Sequence, residues 1–245
     1  MKKFIKGVLR RFGIVAFKCS TGIYVPDEDS YRIAVEQCGK SAPVIVDGGA
    51  HRGDSVRSFS LYVPNATFHC FEPDPMLVEE LKATFLGRSN VYVVAAALGE
   101  VCAQATFNIN FSKPTNSLLP TATSLSEDIQ GLCKTVEQIQ VNVVTVDEYC
   151  TAYGLGQVDI LKLDLQGYDY KALVGSKETL RNVRVVLTEV LFAEIYEGCG
   201  LFPLILNLMI ENGFVLYTLC GIHYGRNDEL LWADAIFVRA SSKSA

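Results

Sequence analysis

Strand-like and helix-like segments alternate from about residue 43 onward, a pattern that predicts an α/β domain with a mostly parallel sheet. Three observations carry the prediction. Short apolar runs recur at 44–46, 67–71, 91–95, 158–163 and 183–187. Helix-compatible stretches at 53–62 and 75–86 separate the first three of them. The first run ends on Asp47 and passes at once into a glycine-rich turn that opens a helix.

Taken in order, 44–46 is the first strand and 53–62 its following helix, and 67–71 is the second strand. The helix over 75–86 has Asp74 as N-cap and Pro75 at its first position, where a missing N–H costs nothing. Residues 91–95 form a third strand and 105–111 an additional one. Residues 112–127, rich in Ser, Thr and Pro, read as a loop whose length in a compact domain points to function, and Asn116 and Ser117 lie within it. Residues 141–146 are strand-like, 158–163 is a buried strand ending at Asp164, and 183–187 begins another that ends near Glu189. A helix over 202–212 is closed by Gly213, and 214–219 with 231–238 make a final hairpin. No repeat or linker is visible. The division is an N-terminal helical extension over 1–40 and one domain over 41–240.

Hydrophobic residues make up 49% of the 245 and charged residues 20%, enough for a large core and against disorder. A formal net charge of −5 and a pI near 5.3 argue against a nucleic-acid partner, which demands a basic face. The eight cysteines form no C-x-x-C pair, which excludes zinc ribbons and thioredoxin-like chemistry; they read as buried free thiols in a reducing cytosol. No run approaches the roughly 18 apolar residues that span a bilayer. The N-terminal apolar stretch is broken by Lys6, Arg10 and Arg11, so it lacks a signal-peptide core and the expected location is the cytoplasm. Residues 2–12 gather Phe4, Ile5, Val8, Leu9 and Phe12 on one helical side, opposite Lys2, Lys3, Lys6 and Arg10. Such a helix packs over the domain or a second copy of the chain in a homodimer, or rests weakly on an anionic membrane surface. Packing is favoured, because one short helix binds membranes weakly.

The segment that carries chemistry is Val46-Asp47-Gly48-Gly49-Ala50-His51-Arg52-Gly53-Asp54. Its glycines let a ligand approach the backbone, and the helix that follows offers unpaired N–H groups. Phe71-Glu72-Pro73 follows about 20 residues on, where an acidic residue is placed to accept ribose hydroxyls. Turn and acid at matching strand ends are far more specific than either alone. A dinucleotide turn has the spacing G-x-G-x-x-G, whereas this one reads D-x-G-x-x-x-G and suits a smaller cofactor whose amino-acid end meets the loop, S-adenosylmethionine.

Over roughly residues 40–240 the chain resembles the FkbM family of methyltransferases. The resemblance is carried by the 46–53 turn, by Phe71-Glu72-Pro73, Ala97-Leu98-Gly99 and Val144-Thr145-Val146-Asp147, by Ile160-Leu161-Lys162-Leu163-Asp164-Leu165-Gln166-Gly167 with its K-x-D-x-x-G block, and by Leu187-Thr188-Glu189-Val190. Two positions depart from it: His51 stands where the family often has Asn, and Gln166 where it often has Glu. Both are polar exchanges that bear on fine specificity more than on cofactor use.

The resemblance implies a Rossmann-like class I methyltransferase fold: a mostly parallel seven-stranded sheet, helices on both faces, and an antiparallel C-terminal strand. It implies methyl transfer from S-adenosyl-L-methionine to a hydroxyl of a sugar, glycan, glycolipid or polyketide-type acceptor. Asp47, Gly48, Gly49, Ala50, His51 and Gly53 would hold the methionyl part, Glu72 with Pro73 the ribose, and the backbone around Ala96 and Ala97 the adenine, with Asp164 also at the cofactor.

An alcohol is a poor nucleophile near neutral pH, so methyl transfer to one gains from a general base as well as from alignment. Asp164, at a strand end facing the cleft, is the first candidate; its alternative role is to cap the helix near Tyr168. Glu189 either shares the cleft or is a charge met by Lys162 or Arg184. His223, read as lying in a loop between the last strands, has a suitable ordinary pKa. His69, inside a strand, is structural. A divalent ion on Asp164, Glu189 and Asp234 ranks below a metal-free site. The alternatives are an NAD(P)-dependent oxidoreductase, disfavoured by the glycine spacing, a base-amino methyltransferase, disfavoured by Asp164-Leu165-Gln166-Gly167 in place of a Pro-Pro-aromatic block, and a non-catalytic cofactor-binding module.

Overall fold

The computed structural model describes residues 29–123 and 127–240. The basic amphipathic stretch at 2–12 lies outside them. A helix, α1 (Ser30–Cys38), precedes the first strand, β1 (Val44–Gly48). There follow α2 (Asp54–Tyr62), β2 (Thr67–Phe71), α3 (Pro75–Thr84), β3 (Val91–Val94), β4 (Ala97–Leu98) and β5 (Ala103–Asn110). Then come α4 (Glu127–Leu132), β6 (Thr135–Val144), α5 (Val146–Ala152), β7 (Ile160–Leu163), α6 (Asp169–Val174) and α7 (Lys177–Leu180). The chain closes with β8 (Val185–Leu191), α8 (Phe202–Glu211), β9 (Phe214–Tyr224) and β10 (Leu230–Arg239).

Seven strands form the main sheet in the order β3-β2-β1-β7-β8-β10-β9. Neighbours run parallel except around β10, which is antiparallel to both β8 and β9. The predicted parallel sheet with a reversed C-terminal strand is therefore the observed one. Adjacent residues of the central strands enter opposite layers, as a sheet covered on both faces requires. Val46, Leu161 and Val186 join a core with Leu173, Ile205 and Met209 of α6 and α8. Ile45, Ile160 and Val185 join a second core with Ile33, Val56, Phe59 and Leu81 of α1, α2 and α3.

Helix starts follow the sequence chemistry. Asp74 caps α3 by accepting from the Met76 N–H at 2.9 Å, with Pro75 in the first turn. Asp29 caps α1 through the Tyr31 and Arg32 N–H groups. Where 141–146 was expected to be a strand, β6 stops at Val144 and Thr145 instead caps α5, accepting from the Glu148 N–H at 3.0 Å. Thr-x-x-Glu is a capping-box spacing that outweighs the β-branching of Val146.

A second sheet, β4-β6-β5, inserts between β3 and α5. The stretch expected as an open loop at 112–127 contains a 3-10 turn at Lys113–Thr115 and ends where α4 begins, and Ser117 inside it is wholly buried.

One ion pair fixes the central strands. The Lys162 ammonium of β7 lies 3.0 Å from Asp47 Oδ1 of β1, both buried, and also donates to the carbonyls of Gly48 at 3.2 Å and Gly49 at 3.1 Å. The Ser55 hydroxyl donates to the other Asp47 oxygen. Removing one partner leaves a charge without compensation in the core. Lys162→Met is expected to cost about 3 to 5 kcal/mol of unfolding free energy, measured by denaturant titration, and Lys162→Met combined with Asp47→Leu to recover a substantial part of it.

Candidate active site

The strand ends β1, β2 and β7 open onto one cavity of about 900 Å³, measured out to its mouth. Its floor is the turn after β1. Gly49 has φ +72, and a Cβ there would lie 2.0 Å from the Asp164 carbonyl oxygen, so only glycine lets the turn approach β7 this closely. The Gly49 and Ala50 N–H groups both donate to the Phe71 carbonyl. His51 is also left-handed, at φ 47, a conformation that Asn and His tolerate better than most side chains.

The backbone N–H of His51 donates to Glu72 Oε2 and that of Asp74 to Oε1, each at 2.9 Å, so the turn and the residues after β2 orient the carboxylate between them. Burial pushes the Glu72 carboxyl up to about 7, against the lowering effect of these two N–H bonds. The His51 imidazole is lowered, by burial first and then by Arg52, and its Nε2 is shielded from solvent without a hydrogen-bond partner. Asn116 Nδ2 is in the same condition, while its Oδ1 accepts from the Asn110 N–H at 2.8 Å.

The opposite wall is acidic. Asp164 follows β7, and its N–H donates to the Gly48 carbonyl at 3.1 Å. The Gln166 amide donates to Asp164 Oδ1 at 2.7 Å and to Glu189 Oε2 at 3.2 Å. Burial, and then Asp164, Asp169 and Asp234, hold the Glu189 carboxyl well above the usual carboxylate range. Burial first and Asp164 second push Asp169 up to about 7, and burial raises Asp234, whose Oδ2 accepts from the Ser30 hydroxyl at 3.1 Å. Tyr31 of α1 also faces the cavity. Its ring packs edge-on against Phe59 at 4.9 Å, and burial raises its phenol to about 12.

Of the residues expected from sequence, Gly49, Ala50, His51, Glu72, Pro73, Ala97 and Asp164 line this cavity. Asp47, Gly48, Gly53 and Ala96 do not. Asp47 points behind the turn to Lys162, and Gly53 packs so closely on Phe85 that a Cβ would lie 2.3 Å from its ring. Glu189 stands inside β8, two residues before its end, and reaches the wall through Gln166; Lys162 is committed to Asp47, and Arg184 pairs with Asp159 at 3.7 Å. His223 lies not in a loop but in β9, stacked on Trp232 at 4.5 Å, and is outside the cavity. Asp164 does not cap the helix after Tyr168, which has no side-chain cap; its Oδ1 accepts from the Gln166 amide instead. Among the described residues no three His, Cys, Asp or Glu side chains converge as a metal site.

Sequence reading missed Tyr31, Lys113 and the bridging role of Gln166. Lys113 lines the cavity and pairs with Asp74 at 3.3 Å. The signal for Gln166 was present in its departure from the family's usual Glu. Tyr31 had none, since α1 lies before the first recognisable motif.

The strand order, with one reversed strand beside a turn-and-carboxylate cavity at the carboxyl edge, defines a class I methyltransferase architecture. The Methyltransferase FkbM domain matches residues 47–216, and the chain belongs to that family. It is 28% identical over 179 residues to the 2-O-methyltransferase NoeI of Sinorhizobium fredii (strain NBRC 101917 / NGR234), spanning 69% of this chain and 71% of that one. It shares its fold with an rRNA methylase from Streptococcus thermophilus, at 10% identity and a TM-score of 0.50 over 89% of this chain and 98% of that one.

The buried Glu72 carboxyl makes stability pH-dependent. With its folded-state value near 7, above the ordinary carboxylate value, its favourable contribution is complete at low pH and is lost as pH rises toward and through 7. Glu72→Gln is therefore expected to gain stability relative to the parent chain between about pH 4.5 and 7, by roughly 2 to 4 kcal/mol over the interval, read from urea midpoints at several pH values.

Proposed function

We propose that the protein transfers a methyl group from S-adenosylmethionine to a hydroxyl of a sugar or related polyhydroxylated acceptor. The observation that carries this reading is the pairing, across one cavity, of a glycine turn with the buried Glu72 carboxylate on one wall and Asp164 on the other. The cavity fits that cofactor: the Gly49 turn excludes a Cβ, and His51 Nε2 and Asn116 Nδ2 are shielded polar atoms still in need of partners. Gly49, Ala50 and His51 would hold the amino-acid end, Glu72 the ribose hydroxyls, and Ala97 with Leu98 the adenine. When bound there, S-adenosylmethionine supplies an activated methyl group on a sulfonium.

The rest of the chemistry belongs to the chain. Asp164 accepts the proton of the acceptor hydroxyl at its carboxylate and so raises the nucleophilicity of the oxygen. The Gln166 amide holds that carboxylate from behind and is itself held by Glu189. The insertion residues Phe107, Lys113, Asn116 and Leu118 wall the cavity and limit water at the reacting oxygen. The NoeI relative, named a 2-O-methyltransferase, supports an oxygen acceptor. The net charge of −5 and the acidic wall support a neutral acceptor over nucleic acid. In this reading an extension over residues 1–40 precedes the methyltransferase domain over 41–240, and the basic amphipathic stretch at 2–12 would pack on the domain or on a second copy of the chain, or rest weakly on an anionic membrane surface.

Calorimetry with S-adenosylhomocysteine and NADH side by side tests the cofactor: the first is expected to bind and the second not. Glu72→Ala is expected to weaken S-adenosylhomocysteine at least tenfold, since a hydrogen bond to a charged group contributes about 1.5 to 3 kcal/mol. Asp164→Asn is expected to lower turnover of an accepted glycoside by roughly 10²- to 10⁴-fold while S-adenosylhomocysteine affinity stays within about threefold. Full turnover in that variant would exclude Asp164 as the base.

A further inference from the structure

Gln166 is held at four points. Its amide nitrogen donates to Asp164 Oδ1 at 2.7 Å and Glu189 Oε2 at 3.2 Å, and its amide oxygen accepts from the Tyr196 hydroxyl at 2.7 Å. Its backbone carbonyl accepts from the buried Ser117 hydroxyl at 2.7 Å, and its φ of 52 is left-handed. The Tyr196 hydroxyl also lies 3.2 Å from the Thr115 carbonyl, so Gln166 is its shorter contact. These partners fix which way the amide faces. A flipped amide would set its oxygen against two carboxylates, which are themselves acceptors.

An amide nitrogen can only donate, so both carboxyl oxygens that it touches are acceptors at those contacts. Among the described residues, Asp164 Oδ2 has no protein hydrogen-bond partner, while Asp164 lines the cavity. Without an intervening donor, Asp164 and Glu189 would be two carboxyls competing for one proton, and neither would act as a defined base. Asp169 from α6 and Asp234 from β10 add to that pressure, whereas the phenols of Tyr31 and Tyr196 and the Cys133 thiol, raised by burial, are neutral and add no charge. Lys162, the cation of this set, is paired with Asp47.

Resting on the methyl-transfer reading, we propose that Gln166 is a positioning residue for the reaction: its amide stands between Asp164 and Glu189, prevents them from sharing a proton, and fixes Asp164 as the acceptor beside the substrate hydroxyl. A Glu at this position would add a third carboxyl to the wall. The exchange of charge, and not the loss of one hydrogen bond, is what the position controls.

The test compares Gln166→Glu with Gln166→Leu in the full chain, by thermal unfolding at pH 5.5 and 8.5 and by the pH profile of methylation of a set of neutral methyl hexosides. A carboxyl buried beside others is tolerated while protonated and costs stability as pH rises through its folded-state value. The Tm deficit of Gln166→Glu is therefore expected to widen toward pH 8.5, whereas that of Gln166→Leu stays level. The acid limb of the Gln166→Glu rate profile is expected to move up by about one pH unit or more, with S-adenosylhomocysteine affinity within about threefold of the parent. A Tm deficit of Gln166→Glu that is equal at both pH values, or an unmoved acid limb, overturns the proposal. If Gln166→Glu folds only at pH 5.5, that supports it; failure to fold at either pH overturns it. The stability comparison needs neither cofactor nor acceptor, so absence of S-adenosylhomocysteine binding by the parent chain would defeat the methyl-transfer reading while the stability result still judged the bridge.

Discussion

The buried contact between Lys162 and Asp47 is the constraint on which the site depends. Neither charge is tolerable alone in the middle of a parallel sheet, so β1 and β7 must meet in the register that brings them together. The same ammonium takes the carbonyls of Gly48 and Gly49 and so sets the height of the turn. That height brings the His51 N–H to Glu72 and the turn against the Asp164 backbone. A pair of this kind contributes little net stability compared with well-packed apolar residues. What it supplies is a unique arrangement of three strand ends.

The three-stranded insertion completes what the main sheet begins. Phe107, Lys113, Asn116 and Leu118 face the cavity from it, and Ser117 ties it to the Gln166 carbonyl. The insertion and the acidic wall are thus joined through backbone atoms as well as side chains. The left-handed backbone at His51 and Gln166 falls on two cavity residues, in keeping with the tendency of unusual dihedrals to gather where a site needs them.

The sheet was legible in the sequence because each central strand is a short, fully buried run and each early turn carries its own chemistry. Asp74 with Pro75, and the glycines after Asp47, needed no tertiary information. The cavity was half legible: Gly49, His51, Glu72 and Asp164 follow from their places at strand ends. Asp47 was placed on the ligand side because sequence shows the strand end but not that a lysine 115 residues later lies behind it. His223 and Glu189 were misplaced by strand length alone, since β9 and β8 run past the apolar runs that announce them. Burial of Ser117 and the reach of Tyr31 depend on long-range packing that no local pattern encodes.

The insertion enters and leaves the domain at the same place. Ala97 and Leu98 at its start pair with Val143 and Val144 at its end, so its two stems are hydrogen-bonded to each other. A segment closed at its base in this way can lengthen, shorten or be exchanged without disturbing the strand order of the main sheet. Evolution, or a protein engineer, thus has a graftable module with which to reshape one side of the cavity while the glycine turn opposite is inherited intact.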